Sequence, residues 1–286
     1  DRQMFFTDQN EPSEKTGYLN EAFRLFHLRD QASREFSWHY HDFHKVVIFL
    51  SGKATYHIEG RSYPLKPWDI LLVDRHAIHR PEIDSSVPYE RFILWIQNDL
   101  PHQELLSCFQ KARDRSYNLI RLSSDLQEKL KETLFQLEDS ARTQAFGQEI
   151  LTQALFQEFM VYLNRIFLEK QYIYDKKSYS YDSQIASLLQ YINHNLQADL
   201  SVEKLAARYY VSKYHLMRKF KEETGYTLHN YIVNKRLLMA RSLIDQGMPV
   251  IKAAQESGFA EYSTFSRAYR KQFQQSPGAS KKQQTL

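Results

Sequence analysis

The stretch VSKYHLMRKFKEETG, residues 211–225, decides the fold of the C-terminal part of this chain. It opens with Ser212, a residue type that caps helices, and it places Leu216 and Phe220 four residues apart on one helical face. The other side of this helix carries basic and aromatic residues, namely Lys213, Tyr214, Arg218, Lys219 and Lys221. A helix with one apolar face and one basic, aromatic face has the form that enters a DNA groove.

A second helical pattern lies directly upstream, in LSVEKLAARYY at residues 200–210. Its apolar positions follow helical spacing and are Val202, Leu205, Ala206 and Tyr209. The short gap before residue 211 permits only a tight turn. The two segments together therefore predict a helix-turn-helix unit.

The same arrangement recurs at residues 250–273. A Gly258-Phe259 turn separates two helical patterns, and the second pattern repeats aromatic residues every four positions, at Phe265, Tyr269 and Phe273. The outer face of that helix carries Arg267, Arg270 and Lys271. A further helix from Leu228 to Ile244 connects the two units, and two such units in one chain are much rarer than one.

These residues resemble the AraC/XylS family of bacterial transcription regulators over residues 199–278. The positions that carry the resemblance are Ala206, Val211, Ser212, Leu216, Arg218, Phe220, Lys221, Gly225, Tyr231, Arg236, Ala240, Gly258, Phe259, Phe265, Arg267, Phe273, Ser276 and Pro277. The resemblance implies an all-α domain whose two helix-turn-helix units read successive major-groove faces about one turn, ~34 Å, apart.

The resemblance also implies roles for the outer faces of the two recognition helices. Residues expected to face bases are Tyr214, Met217 and Arg218 in the first unit and Tyr262, Ser263, Thr264 and Arg267 in the second. Residues expected to meet phosphates, which set affinity but not sequence, are Lys213, Lys219, Lys221, Arg270 and Lys271. For Lys219 and Arg270, a simple solvated charge is the alternative interpretation.

Charge is distributed unevenly along the chain. Residues 199–286 contain 15 Lys and Arg against 7 Asp and Glu, whereas the rest of the chain contains 23 against 27. The overall balance of +4 therefore hides +8 in the C-terminal part and −4 elsewhere. A basic block of this kind is the electrostatic footprint of a nucleic-acid-binding protein.

Several other classes of protein are disfavoured by composition. Cys108 is the only cysteine, which excludes an internal disulfide and a paired-cysteine metal site. The N-terminal DRQMFFTDQN lacks the basic-then-apolar form of a signal peptide, and no apolar run approaches the ~18 residues of a membrane span. We therefore expect a cytoplasmic protein.

The N-terminal part is rich in short strand-like runs between residues 23 and 96. These runs are KVVIFL (45–50), ATYHIEG (54–60), DILLVD (69–74) and ERFILWI (90–96). Gly and Pro residues separate them, and many short strands at near-even spacing predict an antiparallel β-barrel or sandwich. Helical patterns follow at 101–113, from Ser123, and at 144–170, with one more strand at 117–122.

We expect an α+β multidomain chain with three parts. Residues 1–122 form a cupin-like antiparallel β-barrel that binds an effector, residues 123–180 a helical dimerisation region and linker, and residues 181–286 the DNA-binding domain. The helix at 144–170 is apolar over much of its circumference. That breadth favours either packing within its own domain or contact with a second subunit. The polar, Tyr-rich segment 171–182 is the expected linker.

Seven of the 11 histidines lie between residues 27 and 79. The segments that resemble the cupin barrel are WHYHDFHKVVIFLSG (38–52) and PWDILLVDRHAIH (67–79). Metal-binding cupins combine a His-x-His pair, a Glu and a distant His, and His39, His41 and His79 match three of these positions. Lys45 stands at the position of the Glu. Because an ammonium group repels a cation, we expect no bound metal.

Lys45 leaves two interpretations of the barrel interior open. By strand alternation it shares a face with His39 and His41, and a buried lysine needs an anionic partner or loses its proton. In the first interpretation, Lys45 contacts a carboxylate or phosphate group of a bound ligand. In the second, Lys45 pairs with an acidic residue inside the barrel or extends to solvent at the barrel mouth. The expected ligand-binding residues are His39, His41, Lys45, His79, Arg91 and Trp95.

The combined prediction is a sequence-specific DNA-binding transcription regulator that needs no cofactor and responds to a small molecule such as a sugar or sugar acid. Its expected partners are double-stranded DNA, the effector, a second copy of the chain and RNA polymerase. The alternative is a metal-dependent cupin enzyme that uses His39, His41 and His79 and is fused to a DNA-binding domain. A DNA-repair sensor is disfavoured because it needs a cluster of reactive cysteines.

Overall fold

The computed structural model describes residues 17–19, 22–31, 39–41, 43–174, 180–273 and 275–278. The chain divides into two compact units. One contains nearly all of the strand residues and comprises the described chain up to Ile58 together with Ser62–Ser180. The other is helical and comprises Tyr181–Leu286 together with Glu59–Arg61. Part of the expected linker at 171–182 lies outside the described residues.

The strands of the described chain form two sheets. Strands β1 to β10 lie, in chain order, at Gly17–Leu19, Phe23–Asp30, His44–Ser51, Ala54–Ile58, Arg61–Pro64, Ile70–Val73, His79–Ile83, Tyr89–Ile96, Leu119–Ile120 and Ser180–Tyr181. The larger sheet has the order β1-β2-β8-β3-β6-β9 and the smaller one the order β10-β5-β4-β7. Every pair with an assigned register is antiparallel. The expected fold class is confirmed, although the described strands make two sheets rather than one closed barrel.

The helices follow the sequence pattern with small shifts of their ends. Helices α1 to α9 lie at Ser107–Arg115, Ser124–Arg142, Gln148–Leu168, Ser183–His194, Val202–Arg208, Lys213–Thr224, Leu228–Asp245, Val250–Glu256 and Tyr262–Phe273. A 3-10 turn at Gln103–Leu106 precedes α1, so the first part of the helix expected at 101–113 is not α-helical. The strand expected at 117–122 is the short edge strand β9, which pairs with β6.

The main apolar core of the sheet unit lies between the larger sheet and helices α1, α2 and α3. Phe23 of β2 stacks on Phe156 of α3 with ring centroids 4.1 Å apart. His44 of β3 stacks on Phe109 of α1 at 4.5 Å, so strand alternation turns its neighbour Lys45 to the opposite face. One face of the larger sheet therefore packs against the helices. The opposite face, which carries Lys45, is turned toward the interior of the sheet unit.

Most of the broad apolar surface of α3 is buried in this core. Its buried apolar residues are Leu155, Phe156, Phe159, Met160, Leu163, Ile166 and Phe167. Three strongly exposed apolar residues lie at or before the N-terminal end of the helix, namely Phe146, Ile150 and Leu151, and Leu168 at the C-terminal end is partly exposed. Packing within the unit thus accounts for the C-terminal two-thirds of the apolar pattern, and the N-terminal end remains uncovered in the single chain.

Cys108 is a core residue of α1. Its backbone N–H donates a hydrogen bond to Asn164 Oδ1 of α3 at 2.8 Å, and its side chain is fully buried. Burial raises the pKa of the Cys108 thiol far above its ordinary range. The thiol is therefore protonated and inert at neutral pH.

The helical unit contains two successive helix-turn-helix pairs, α5–α6 and α8–α9, with α7 between them. Ser212 caps α6 by accepting a hydrogen bond from the backbone N–H of His215 at 3.2 Å. Phe220 of α6 is buried against Tyr231 of α7, with ring centroids 5.4 Å apart. In the second pair, Phe265 and Tyr269 are buried in the same way. The expected C-terminal domain with two helix-turn-helix pairs is confirmed.

Gly258, in the turn between α8 and α9, lies where a side chain has no room. Its φ of +87° belongs to the left-handed region, and a Cβ there would meet the carbonyl oxygen of Leu196 and, at 2.8 Å, the Nε of Arg236. Arg236 of α7 donates from Nε to Leu196 O and from Nη2 to Ala198 O, both at 2.8 Å. This guanidinium therefore joins α7 to the segment that precedes α5, next to the turn at Gly258.

Candidate functional sites

The outer face of α6 carries the first set of residues expected to contact DNA. The side chains of Tyr214, Met217 and Arg218 are 74 %, 44 % and 56 % exposed, respectively, while Leu216 between them is buried. Lys213 and Lys221 are also exposed. The sequence therefore sorted this helix correctly into a buried and an exposed side.

The cations of α6 have different partners. Lys213 pairs with Glu203, and Arg218 lies 4.0 Å from Glu222. Because both pairs are exposed, they contribute little to stability and can be exchanged for contacts with a polyanion. The predicted phosphate ligand Lys219 has a firmer partner, since its Nζ lies 2.6 Å from Asp182 Oδ2 and both side chains are about three-quarters buried.

Asp182 gives the Lys219 pair a structural role. The same carboxylate caps α4 by accepting from the backbone N–H of Ile185 at 2.9 Å. Partial burial alone would raise the pKa of Asp182, but the hydrogen bond from Lys219 and those from the backbone hold it below its ordinary value. Lys219 thus links α6 to the start of α4. This structural role differs from both interpretations drawn from the sequence, a phosphate contact and a solvated charge.

The outer face of α9 carries the second set of expected DNA-contacting residues. Its exposed members are Tyr262, Ser263, Thr264, Arg267, Arg270 and Lys271. Arg267 Nε lies 3.3 Å from the carbonyl oxygen of Ser263. Tyr269 and Phe273 are buried on the opposite side. Each unit therefore presents one helix face that combines positive charge, aromatic rings and hydroxyl groups.

One residue beside these faces was missed from the sequence. Tyr210 lies in the turn before α6, has a positive φ of 54° and is 95 % exposed. The sequence could have predicted that Tyr210 is exposed, because of the two adjacent tyrosines only Tyr209 fits the apolar spacing of α5. Tyr210 is therefore an exposed aromatic residue in the turn that precedes α6.

In the sheet unit, the three predicted histidines come together. The ligand-type nitrogen atoms of His39, His41 and His79 all lie within 4.8 Å of one another, and the three residues are at most 5 % exposed. The backbones of His39 and His79 exchange two hydrogen bonds, of 3.1 and 2.9 Å. His76 N–H donates to His41 O at 2.8 Å, which fixes the third histidine beside them.

The chemistry of His79 is settled by its surroundings. Its Nδ1 lies 2.9 Å from the carbonyl oxygen of Ala77, which can only accept, so Nδ1 carries the proton and Nε2 carries a lone pair. Burial, followed by the charges of His39, His41 and Lys45, holds the pKa of His79 well below its ordinary value. The imidazole is therefore neutral at physiological pH.

Lys45 and Trp95 lie on the same interior side. Lys45 is only 2 % exposed and stands directly opposite Trp95 in the β3–β8 register. The indole ring of Trp95 contacts Phe43 at a centroid distance of 4.6 Å and His41 at 6.4 Å. A buried lysine side chain therefore shares this interior with aromatic rings and with imidazoles.

Arg91 is held by partners within the unit. Its Nη1 lies 2.6 Å from Asp30 Oδ2, and its guanidinium carbon lies 4.3 Å from the centre of the Tyr89 ring. Asp30 and Tyr89 were not among the predicted interior residues. The alternation of β2 could have indicated Asp30, because its register partner Tyr89 is two residues from Arg91 on the neighbouring strand.

The geometry defines a class of protein, a DNA-binding regulator in which a double helix-turn-helix unit follows a two-sheet unit with a polar interior. Comparison with known proteins agrees. A family described as an AraC-like ligand binding domain matches residues 24–160, and one described as a helix-turn-helix domain matches residues 205–283. The chain belongs to the AraC family of transcription regulators.

Three similar proteins illustrate the match. The transcriptional activator RhaS of Klebsiella pneumoniae (strain 342) is 24 % identical over 85 % of this chain and 86 % of its own length. The multiple antibiotic resistance protein MarA of Escherichia coli (strain K12) is 36 % identical over 32 % of this chain and 74 % of its own. A solved structure of fatty-acid-bound ToxT from Vibrio cholerae is 15 % identical, covers 93 % of this chain and 95 % of its own, and has a TM-score of 0.37.

These findings identify a transcription regulator with a DNA-binding and a ligand-binding domain, and relatives that are transcriptional activators indicate a regulator rather than an enzyme. None of the described helices combines the length and apolar character required to cross a membrane.

Proposed function

We propose that this chain is a cytoplasmic, non-enzymatic regulator that binds specific DNA through α6 and α9 and responds to a sugar or sugar acid bound in the interior of the sheet unit. We propose further that it acts as a homodimer and contacts RNA polymerase. The observation that carries the DNA-binding part is the pair of exposed basic, aromatic faces on two helices whose opposite sides are buried.

Specific reading is assigned to Arg218 and sequence-independent binding to Lys221. A guanidinium can donate two hydrogen bonds to a guanine edge, so Arg218→Ala should cost about 1–3 kcal/mol of specific binding and relax the preference at one base position. Lys221→Ala should weaken binding to all sequences alike and reduce the salt slope by about one unit. The test is a binding titration over variants of the operator.

The matched control for these variants is Lys111→Ala, which removes an exposed lysine from α1 of the sheet unit. It should change neither base preference nor salt slope. If the base preference of Arg218→Ala were unchanged, Arg218 would not be a residue that recognises a base. If Lys221→Ala instead lost affinity selectively at one base position, Lys221 would recognise the base and Arg218 would bind phosphate.

The effector proposal rests on Lys45 and the neighbouring polar groups. A buried ammonium in a low-dielectric interior makes a stronger charge-assisted hydrogen bond than it makes in water. An anionic sugar derivative that binds the folded protein should therefore raise its melting temperature. Sugar acids, sugar phosphates and neutral oligosaccharides are the compounds to compare in a thermal-shift screen of the full chain.

Lys45→Met should abolish the shift for an anionic compound because it keeps the length of the side chain and removes its charge. The control Lys66→Met changes an exposed lysine of the same unit and should leave the shift intact. A compound that stabilises Lys45→Met as well as the unchanged protein would show that Lys45 does not meet the effector.

A further inference from the structure

The two helix-turn-helix units end their first helices in the same kind of turn. After α5, the N–H of Tyr210 donates to the carbonyl oxygen of Ala207 at 3.2 Å. The following N–H, that of Val211, donates to the carbonyl oxygen of Ala206 at 3.0 Å. This pair of hydrogen bonds forms the Schellman motif, in which the residue at the position of Tyr210 is left-handed and is usually glycine.

The second unit has glycine at this position, whereas the first has tyrosine. After α8, Gly258 and the residue that follows it make the same two hydrogen bonds, of 2.9 and 3.1 Å, and Gly258 has a φ of 87°. Tyr210 occupies the equivalent place with a φ of 54°, in a region where the side chain crowds the backbone. The chain thus carries a strained tyrosine where its own second unit has the unstrained residue. A strained residue of this kind indicates a functional role.

Tyr210 lies at an open groove on the surface of the helical unit. The residue is 95 % exposed, so its ring buries little apolar surface within the chain. Packing within the chain therefore does not offset the strain of the turn. The groove runs between α4 and α5, and its lining residues are Ser187, Lys204, Ala207, Arg208, Tyr209 and Tyr210.

Contacts between the two walls fix the shape of the groove. The guanidinium carbon of Arg208 lies 4.0 Å from the centre of the Tyr191 ring on α4. The hydroxyl of Tyr209 lies 3.3 Å from Ser187 Oγ, which also belongs to α4. The surface is thus formed in the free chain, which reduces the entropy lost when a partner binds.

The groove is basic. Lys204 and Arg208 are exposed and lie about one helical turn apart on α5. Lys204 pairs with Asp199 at 2.8 Å, but the two side chains are 66 % and 55 % exposed, so this pair can be exchanged for one with a partner. The second unit differs, because Glu256 is the last residue of α8 where Arg208 is the last residue of α5.

These features fit a protein partner that carries negative charge. Tyrosine and arginine are the residue types that most often dominate the energy of protein interfaces, and two exposed cations favour an acidic surface. Neither α4 nor α5 carries a residue expected to contact DNA. We propose that the groove between α4 and α5, with Tyr210 at its edge, binds an acidic segment of RNA polymerase. The inference rests on the polymerase contact of the proposed function and adds the surface and the charge of the segment.

The test titrates the fluorescently labelled full chain with purified bacterial RNA polymerase and, separately, with DNA alone. Tyr210→Gly should weaken polymerase binding at least about 10-fold, because it removes the exposed ring. DNA binding should be unchanged. The melting temperature should not fall, because glycine is the residue that the turn favours. The loss of polymerase binding is then separated from a loss of folding.

Lys204→Ala and Lys252→Ala form a matched pair. Each lysine is exposed and is the third residue of the first helix of its unit, α5 or α8. Lys204→Ala should weaken polymerase binding and make it less sensitive to salt, because one cation of the groove is lost. Lys252→Ala should change neither property.

Three results would overturn the proposal, and each has a different meaning. If polymerase binds Tyr210→Gly and Lys204→Ala as tightly as the unchanged chain, the contact exists but uses another surface. If polymerase does not bind the unchanged chain, the polymerase contact of the proposed function is wrong and the groove loses its partner. If Tyr210→Gly weakens binding to DNA in the absence of polymerase, Tyr210 contacts DNA instead.

Discussion

Gly258 shows how one residue secures the second helix-turn-helix unit. Replacement by alanine adds a methyl group against Leu196 O and Arg236 Nε in a backbone conformation that side chains disfavour. We expect Gly258→Ala to lower the free energy of unfolding of the helical unit by about 2–4 kcal/mol, because left-handed backbone strain and overpacking act together. Urea denaturation followed by circular dichroism measures the loss.

Gly247 provides the control for that measurement. It has a similar positive φ of 91°, but nothing lies within 4 Å of the place where its Cβ would stand. Gly247→Ala should therefore cost only the backbone strain, about 1–2 kcal/mol. Equal losses for the two variants would show that the contact with Arg236 does not limit the turn.

Single residues also mark where sequence reasoning stopped. The helical period of residues 211–225 separated Leu216 and Phe220 from the exposed side chains because burial follows a repeat of 3.6 residues. The same period placed Lys219 outside without revealing Asp182, its partner 37 positions away in the chain. A contact of that kind depends on the packing of α4 against α6, which no local pattern encodes.

At the level of elements, α3 has an apolar end without a partner in the single chain. The relative exposures of Phe146, Ile150 and Leu151 are 108 %, 78 % and 54 %. We expect this end to form the proposed homodimer contact, because three neighbouring exposed apolar side chains gain about 25 cal/mol for each Å² removed from water. Ile150→Glu should weaken dimerisation at least about 10-fold, as measured by light scattering or sedimentation at tens of micromolar.

The control is Leu168→Glu, which places the same charge at the opposite end of α3, where Leu168 is 40 % exposed. It should leave the assembly unchanged. A chain that is monomeric before any substitution would contradict the dimer, and equal loss in the two variants would show that the contact extends along the whole helix.

Strands made of continuous apolar runs were predictable, whereas polar strands were not. The runs at 45–50 and 90–96 correspond to β3 and β8 because their β-branched and aromatic residues stand between turn signals. Strand β7, His79–Ile83, was missed because Pro81 is typical of a turn that separates strands. In the sheet order β7 lies at an edge of the described four-stranded sheet, where a proline is tolerated.

For the whole molecule, the distribution of charge predicts how DNA binding responds to salt. Of the five residues assigned to phosphates, Lys219 is engaged with Asp182, which leaves Lys213, Lys221, Arg270 and Lys271. At about −0.9 for each neutralised phosphate, the slope of log affinity against log salt should be about −4 per chain. Titrations of nonspecific DNA at several salt concentrations measure it.

Lys219→Ala separates these roles. It should leave the salt slope unchanged and instead destabilise the helical unit by up to about 1 kcal/mol, since a partly exposed ion pair contributes little more. If the slope fell by one unit in Lys219→Ala, Lys219 would exchange Asp182 for a phosphate on binding.

The overall architecture was predictable from the sequence, but the arrangement of the sheets was not. Repeated short strands indicated a barrel or a sandwich alike, because both show the same alternation. Which strands pair depends on contacts such as the bridge between His39 and His79, 40 residues apart. The gathering of the three histidines followed from the resemblance, whereas the Arg91–Asp30 pair required the register of β2 against β8.

The buried thiol of Cys108 makes the chain convenient for spectroscopy. Because it is the only cysteine and is shielded from solvent and protonated, maleimide dyes and nitroxide spin labels will not react with the folded native protein at neutral pH. A cysteine introduced at any exposed position will then carry the only label. Distances between labelled sites can be followed by fluorescence or electron spin resonance without first removing a native thiol.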